Sequence, residues 1–431
     1  MRYQESNYEE LIDRADQLLQ KYRYHEAWEC IAAIPDDIKF IDYVEDCSFF
    51  AVVALSDGHL DDFVRFFKAY FNTISEPDDA FVDDFGSMFF SMSLIQDIKI
   101  YPYIIKVIKI VLSRFRTPNI LTICAELYNI MNMYEEGLPL LDEALNKDPF
   151  FSLAWYNKVL TYHNIADFEK EIECCNYYIA LVPETNDYNI LTPLAISYAN
   201  IQSHNEAITV LKKILTNKAL LPKRIASVHS LLAESYNALS DYKSELIHRK
   251  KALNIFPEEV VYWSMLAQYY LTSVNKPLKA ENIMNEAMTR FPHNPIMHYM
   301  FAAVECQIAI EYNKRLKLES AASHIKIALR KIKDDLSFYL LASRIFFLRK
   351  DYTSALKYAR HSYRINPNDS NAILYMVIGT FVCGKMTEFR RLYRIYEKIN
   401  PAAREEVLVI TPEAEHVIDK FEEKQTSKPV K

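Results

Sequence analysis

The residues that could carry chemistry are few. The segment HEAWEC begins at His25 and approaches the HExxH pattern. In that pattern two imidazoles at i and i+4 share one helix face and hold zinc. Position 29 is Glu29, so one imidazole is missing, and His25 and Glu26 are expected on a solvated helix face. Cys174 and Cys175 are adjacent. Neighbours on a helix point about 100° apart and cannot bridge without distortion, so burial is the expected state of Cys175. Aspartates are paired at Asp36–Asp37, Asp61–Asp62, Asp78–Asp79 and Asp83–Asp84. Glycoside hydrolysis needs two carboxylates facing each other across a sugar, which adjacency does not provide. These pairs are expected as helix N-caps and first-turn charges. There is no G-x-S-x-G elbow, P-loop or dinucleotide fingerprint. The sequence therefore points away from an enzyme, with no catalytic residue, metal or cofactor expected.

The elements that position these residues are helices. The 431 residues include only 5 glycines, where average usage would give roughly 30. Hairpins and sandwiches consume glycine in their turns, so an all-β fold is excluded. Half the residues are hydrophobic and 25 % are charged, with 30 Tyr and 24 Phe against 3 Trp. The seven cysteines form no CxxC pair. This supports neither a disulfide framework nor a zinc set and suits a reducing compartment. The N-terminus lacks the apolar stretch of a secretory signal, and the longest apolar run, Ala372–Gly384, is short of a membrane span. A soluble, cytoplasmic protein is the expectation. Net charge is −7, but residues 1–100 carry 21 acidic and 8 basic side chains, and residues 301–400 carry 9 and 18.

Internal repetition organises the rest. Gly137, Glu171, Ala207, Glu245, Ala280, Ala321, Ala355 and Phe389 form a series of anchors spaced 34, 36, 38, 35, 41, 34 and 34 residues apart. Nine residues before each lie Tyr128, Tyr162, Tyr198, Tyr236, Leu271, Tyr312, Phe346 and Thr380. Seven after come Ala144, Tyr178, Ile214, Ala252, Ala287, Ala328, Ser362 and Tyr396. Twelve after, proline recurs at Pro149, Pro183, Pro257, Pro292, Pro367 and Pro401. Small residues Ala125, Ala195, Ala233, Ala267 and Ser343 precede the anchors, and Trp155 opens one copy while Trp263 lies one residue off the same register.

This pattern resembles the tetratricopeptide repeat, a helix–turn–helix unit of about 34 residues. The resemblance implies an all-α, right-handed α-solenoid of about eleven units. Small residues would let helices A and B approach, large ones would fill the space between units, and proline would end helix B. One unit cannot bury its own apolar face, so stacking is obligatory. The expected organisation is divergent repeats over 1–115, eight repeats over 116–401, and a capping helix with a flexible tail over 402–431. The 41-residue spacing before Ala321 predicts lengthened helices around Cys306–Leu318. Ser75–Asp84 reads as an acidic link, and a polar capping helix is expected from Pro412 to about Glu423.

In the resembled family the A helices line a concave groove. Its positions map here to Asn119, Thr122, Glu126, Asn129, Tyr156, His163, Asn189, Thr192, Asn200, Ser227, Ser230, Glu234, Asn237 and Arg344. Asparagine offers donor and acceptor together, and a ladder of such residues suits an extended peptide. The Lys and Asn pattern of units that clamp chaperone C-termini is absent, since Thr122 and Glu126, Tyr156 and Leu160, and Ser230 and Glu234 stand there. The basic residues of the C-terminal part lack a nucleic-acid reader motif, and nucleic acid is disfavoured. The expected function is a non-enzymatic scaffold holding a protein or peptide partner, with head-to-tail self-association through the acidic and basic ends as a further expectation. A peptide-sensing regulator and an enzyme without a recognisable motif remain the alternatives.

Overall fold

The computed structural model describes residues 2–90 and 97–419. Among the described residues there is no strand. The chain divides into two compact units, Met1–Asn217 and Lys218–Lys431.

The first unit contains α1 (Arg2–Leu19), α2 (Tyr24–Ala32), α3 (Asp36–Ile41), α4 (Cys47–Asp57), α5 (Leu60–Thr73), α6 (Asp79–Phe90), α7 (Tyr101–Leu112), α8 (Pro118–Ile130), α9 (Tyr134–Lys147), α10 (Ser152–Asn164), α11 (Phe168–Leu181), α12 (Tyr188–Asn200) and α13 (His204–Ile214). The second contains α14 (Pro222–Ala238), α15 (Tyr242–Ile255), α16 (Val260–Gln268), α17 (Pro277–Arg290), α18 (Pro295–Glu311), α19 (Arg315–Lys331), α20 (Leu336–Leu348), α21 (Tyr352–Ile365), α22 (Ser370–Val382), α23 (Met386–Ile399) and α24 (Ala403–Ile410). From α8 onward they pack as consecutive hairpins of an A and a B helix, and neighbouring A helices adjoin, α8 on α10 on α12 and α16 on α18 on α20 on α22.

The turn between A and B has one recurring device. A single residue with positive φ sits five positions before the anchor: Asn132, Ala166, Gln202, Ser240, Asn275, Lys350 and Gly384. Two upstream hairpins use it as well, at Tyr22 before Ala27 and at Gly58 before Phe63. Counted back from those two, Ala15 and Ala51 occupy the small-residue column and are wholly buried. The same turn and buried small residue thus recur at these two upstream hairpins.

Phenylalanine closes the packing there. Phe67 lies near Phe71 and Phe85, Phe81 stacks on Phe85 at 5.9 Å, and Phe115 meets Phe71 edge-on at 5.2 Å. Such ring pairs add roughly 0.5–1.5 kcal/mol beyond the area they bury.

Helix lengths follow the spacings. The hairpin α18/α19, built on the 41-residue spacing, has two 17-residue helices, and α14 also has 17 residues where α8, α10, α12, α20 and α22 have 13. The off-register Trp263 has a local cause. Helix α16 passes into a π-helical turn at Tyr269–Ser273, and such a turn absorbs one extra residue. Tyr270 thereby fills the place that Leu271 holds by count, and it is buried.

Three expectations need correction. Asp79–Asp84 is not linker but the start of α6, where Asp78 caps the helix by accepting from the Phe81 N–H at 2.9 Å. Asp83 and Asp84 lie inside that helix, and Tyr70 donates its hydroxyl to Asp84. The C-terminal cap begins earlier than Pro412, at α24, whose Ala403 and Val407 join the core with Ala414 and Ile418. Residues 415–419 are helical, and the expected tail after them lies outside the described residues.

Candidate functional surface on the A helices

The A helices present their groove-column residues very unevenly. In the first unit α8 is buried almost all round, from Ile120 to Ala125 and at Leu127 and Tyr128. Thr122 is fully enclosed and its hydroxyl makes no hydrogen bond within the chain. Thr192 on α12 is likewise buried and unbonded. Asn119 is half-buried, and Asn189 and Asn200 are exposed. Asn200 is folded back, donating to the Ile196 carbonyl at 3.0 Å. Glu126 and Tyr156 form the accessible part. Burial pushes the Glu126 carboxyl above its ordinary range, and the Tyr156 phenol rises through burial and then the charges of Asp187 and Glu126. Tyr178 lies beside Tyr156, with ring centroids 6.0 Å apart.

The expected asparagine ladder is not a ladder. Asn129 donates to Thr161 Oγ1 at 2.6 Å, bridging α8 to α10. His163 Nδ1 lies 3.1 Å from Glu171, which is 0 % exposed at the anchor position. Asn237 donates to Glu245 and to Ser273, both at 2.9 Å, and Arg249 donates to Glu245 at 2.6 Å. These side chains bracket successive helices from within. Where the anchor is Gly137, the asparagine carbonyl itself fills the gap, since a Cβ on Gly137 would lie 3.1 Å from Asn129 Oδ1. The large anchors Glu171 and Glu245 are thus accommodated by polar partners eight residues upstream. Burial pushes the Glu171 carboxyl upward, with Ser197 and His163 opposing.

In the second unit Ser227 is half-buried, and the buried Ser230 places its hydroxyl 3.1 Å from Met265 Sδ. Glu234 is exposed yet walled by neighbours, and its carboxyl is raised by that desolvation, with Arg249 opposing. Arg344 lines an open cleft. The cleft measures about 490 Å³ and is lined by Tyr299, Ser337, Leu340, Leu341, Arg344, Asn371 and Tyr375. It crosses three A helices, α18, α20 and α22. Tyr299 stacks on Phe338 with centroids 4.3 Å apart, which fixes that wall. Sequence reasoning missed Tyr299, Ser337, Leu340, Asn371 and Tyr375. Ser337, Leu340 and Asn371 stand in the same groove columns and would have followed had the columns been carried into the last repeats.

Helix hairpins with a positive-φ turn, a buried small-residue column and a proline after helix B now recur together along the chain. The described residues form an all-α array of tetratricopeptide-like helical hairpins. No protein-family model matches it, and no curated protein does. Solved structures with a similar fold include yeast Tom70, at 15 % identity and TM-score 0.49, covering 99 % of this chain and 98 % of that one. Cut9 in the APC/C Cut9–Hcn1 complex overlaps at 13 % identity and TM-score 0.45, over 92 % of this chain and 82 % of that one. A tetratricopeptide repeat protein from Parabacteroides merdae matches at 13 % identity and TM-score 0.45, over 65 % and 98 %. The repeat assignment stands on the chain's own columns and turns.

The other chemistry-bearing residues have structural roles. His25 pairs with Asp57 at 3.1 Å, tying α2 to the end of α4. Cys174 and Cys175 are both buried and unbridged, and burial raises both thiols, Cys174 to about 11. Asp36–Asp37 and Asp61–Asp62 occupy first helical turns. Among the described residues no group of three or more His, Cys, Asp or Glu is placed to hold a metal ion, and no helix is long and apolar enough to cross a membrane.

Proposed function

We propose that this protein is a non-enzymatic scaffold that holds an extended segment of a protein partner against its A helices. The observation that carries this reading is the Arg344 cleft. An exposed guanidinium stands between two tyrosine walls, with Asn371 and Ser337 beside it. Arginine and tyrosine dominate binding energy at protein interfaces. Asn371 can pair with a peptide unit through donor and acceptor together. In the first unit, Glu126, Tyr156 and Asp187 offer acceptors and negative charge instead. A partner seated at the Arg344 cleft would carry an acidic or C-terminal carboxylate group, and one seated at Glu126 a basic group. The seven free cysteines suit a cytoplasmic, reducing setting, which is part of this proposal. Association of copies through the acidic N-terminal and basic C-terminal parts is a second element of it, supported by the charge counts alone.

The test is cross-linked capture with the full chain, comparing wild type with an Arg344→Glu, Tyr375→Ala variant. Loss of the captured partners from the variant, with its melting temperature unchanged, is expected. Undiminished recovery of the same partners would remove the A-helix reading. Sedimentation at low and high salt addresses association of copies: a monomer at both ends it.

A further inference from the structure

A second cleft of the second unit is chemically unlike the first. It measures about 420 Å³ and lies between α21 and the α22–α23 turn. Thr353, Leu356, Lys357, Arg360, His361 and Arg364 come from one face of α21, and Cys383 and Lys385 from the turn. The helix residues follow the spacing that puts side chains on a single stripe. Lys357 and Arg364 are seven residues apart, about 10.5 Å along the axis at 1.5 Å per residue.

Charge in this cleft is poorly balanced. Of the four cations, only Arg360 has a carboxylate partner among the described residues, Glu388 of α23, at 2.7 and 2.8 Å. Both contacts use the same terminal nitrogen, Nη2. The Nε and Nη1 groups of Arg360 make no bond to Glu388, so that carboxylate fixes the guanidinium without occupying its fork. Lys357, Arg364 and Lys385 are exposed and make no ion pair among the described residues. Thr353 is already engaged, donating to Asp351 at 2.9 Å. His361 stacks on Tyr339 with its centroid 5.1 Å away. Its pKa is lowered by burial and then by Arg364 and Lys357, the mark of a positive field at the cleft. Leu356 supplies an apolar floor.

We propose that this cleft binds a phosphorylated segment of a protein partner, its phosphate seated among Lys357, Arg360, Arg364 and Lys385. A single carboxylate would leave most of the positive charge unmet. A phosphomonoester brings about −1.5 to −2 at pH 7 and three acceptor oxygens, and arginine's planar fork matches them two at a time. The apolar floor takes the carbon chain that bears the phosphate. A nucleic-acid track would need cations strung along a strand with aromatic platforms for the bases. Here the aromatic ring of Tyr339 is covered by His361 and is itself buried.

The test uses the full chain, fluorescence anisotropy and three probes: a degenerate phosphoserine peptide pool, its serine twin, and a single-stranded RNA. Inorganic pyrophosphate serves as competitor. The variant is Lys357→Ala, Arg364→Ala, Lys385→Ala, at three exposed positions, with circular dichroism confirming its fold. Expected results are at least about tenfold tighter binding of the phosphorylated pool than of its twin, competition by pyrophosphate, and about tenfold loss in the variant. The proposal is overturned if the twin binds as well as the phosphorylated pool or if the variant binds like wild type. It is also overturned if RNA alone is bound, or if the substitutions abolish only association between copies. Arg344→Glu should leave phosphopeptide binding intact, so this result and the A-helix reading stand or fall separately.

Discussion

The Asn237 side-chain nitrogen donates to the Glu245 carboxylate at 2.9 Å while also reaching Ser273 Oγ at 2.9 Å. One amide thus joins helix A of a repeat to its own helix B and to the next helix A. Glu245 is 0 % exposed and also accepts from Arg249. Removing one member strands the others in a poorly hydrated interior. Glu245→Ala is therefore expected to cost about 3–5 kcal/mol, as for other broken buried pairs. Asn237→Ala should cost about 1–3 kcal/mol through the hydrogen bonds it leaves unmade. Urea unfolding of the variants measures both. A cost for Glu245→Ala no larger than that of an exposed substitution would show that the bracket is not structural.

Two histidine pairs predict an acid sensitivity. His229 and His248 approach with Nδ1 atoms 3.0 Å apart, and His298 and His324 at 2.7 Å. His298 Nε2 donates to the Pro292 carbonyl. Its Nδ1 is therefore an acceptor in the neutral ring, and His324 must donate. Burial first, then the partner histidine and a nearby lysine (Lys251 and Lys317), lower His229 and His324 to about 4. A folded-state pKa below the unfolded value of about 6.5 means that the unfolded chain binds protons first. The stability is whole above pH 6.5 and is lost as pH falls toward 4, by about 2–3 kcal/mol per histidine. His324→Asn keeps a donor where Nδ1 sits but cannot titrate. The difference in unfolding free energy between wild type and His324→Asn should narrow as pH falls from 7 to 4.5. A constant difference would refute the account.

The legible part of this molecule was what repeats. Ala125, Ala233 and the prolines after helix B recur because the same close approach recurs, and even Ala15 and Ala51 obey the column. The weak points have local physical causes. Trp263 looked misplaced because a π-turn adds a residue that no count reveals. Asp79–Asp84 looked like linker because its charge hid the Phe81 and Phe85 that anchor α6. Side-chain exposure along the A helices is the least legible in the sequence. Column position places a side chain on an A helix, but whether it meets solvent depends on how tightly neighbouring helices close over it. Thr122 and Arg344 both map to groove columns of the resembled family, and one is sealed while the other is open. Asn129 and Asn237 have the chemistry of peptide binding and spend it on their neighbours.

Cysteine reactivity separates the two kinds of thiol. Six cysteines are buried, and Cys383 alone is partly exposed, at the mouth of the basic cleft. Buried, high-pKa thiols react slowly because the thiolate is the nucleophile. Cys124 is pushed to about 12 and Cys306 to about 11 by burial. In native buffer, a thiol-reactive chromophore should label one site quickly and the rest only after unfolding. Cys383→Ser should abolish the fast phase. Fast labelling of two or more sites would mean that the helices open more readily than their packing implies.

The turn between helices A and B offers a stabilising substitution. At Ala166 the backbone has φ of 58°, in the left-handed region. An L-residue with a Cβ is disfavoured there by roughly 1–2 kcal/mol, whereas glycine enters freely. Two repeats already use glycine at this place, Gly58 and Gly384, with nothing within 4 Å of an added Cβ. The scarcity of glycine is therefore not demanded by the turn, where the chain accepts strain at Tyr22, Gln202, Ser240 and Lys350 as well. Cooperative stacking of the adjoining helices holds these residues in place. Ala166→Gly should raise stability by up to about 1 kcal/mol, less than the strain removed because glycine also loosens the unfolded chain. Gly384→Ala should lower stability by about 1 kcal/mol or more. Thermal unfolding of the two variants reads the opposite signs directly. A fall in stability for Ala166→Gly would show that the left-handed turn is relaxed rather than strained.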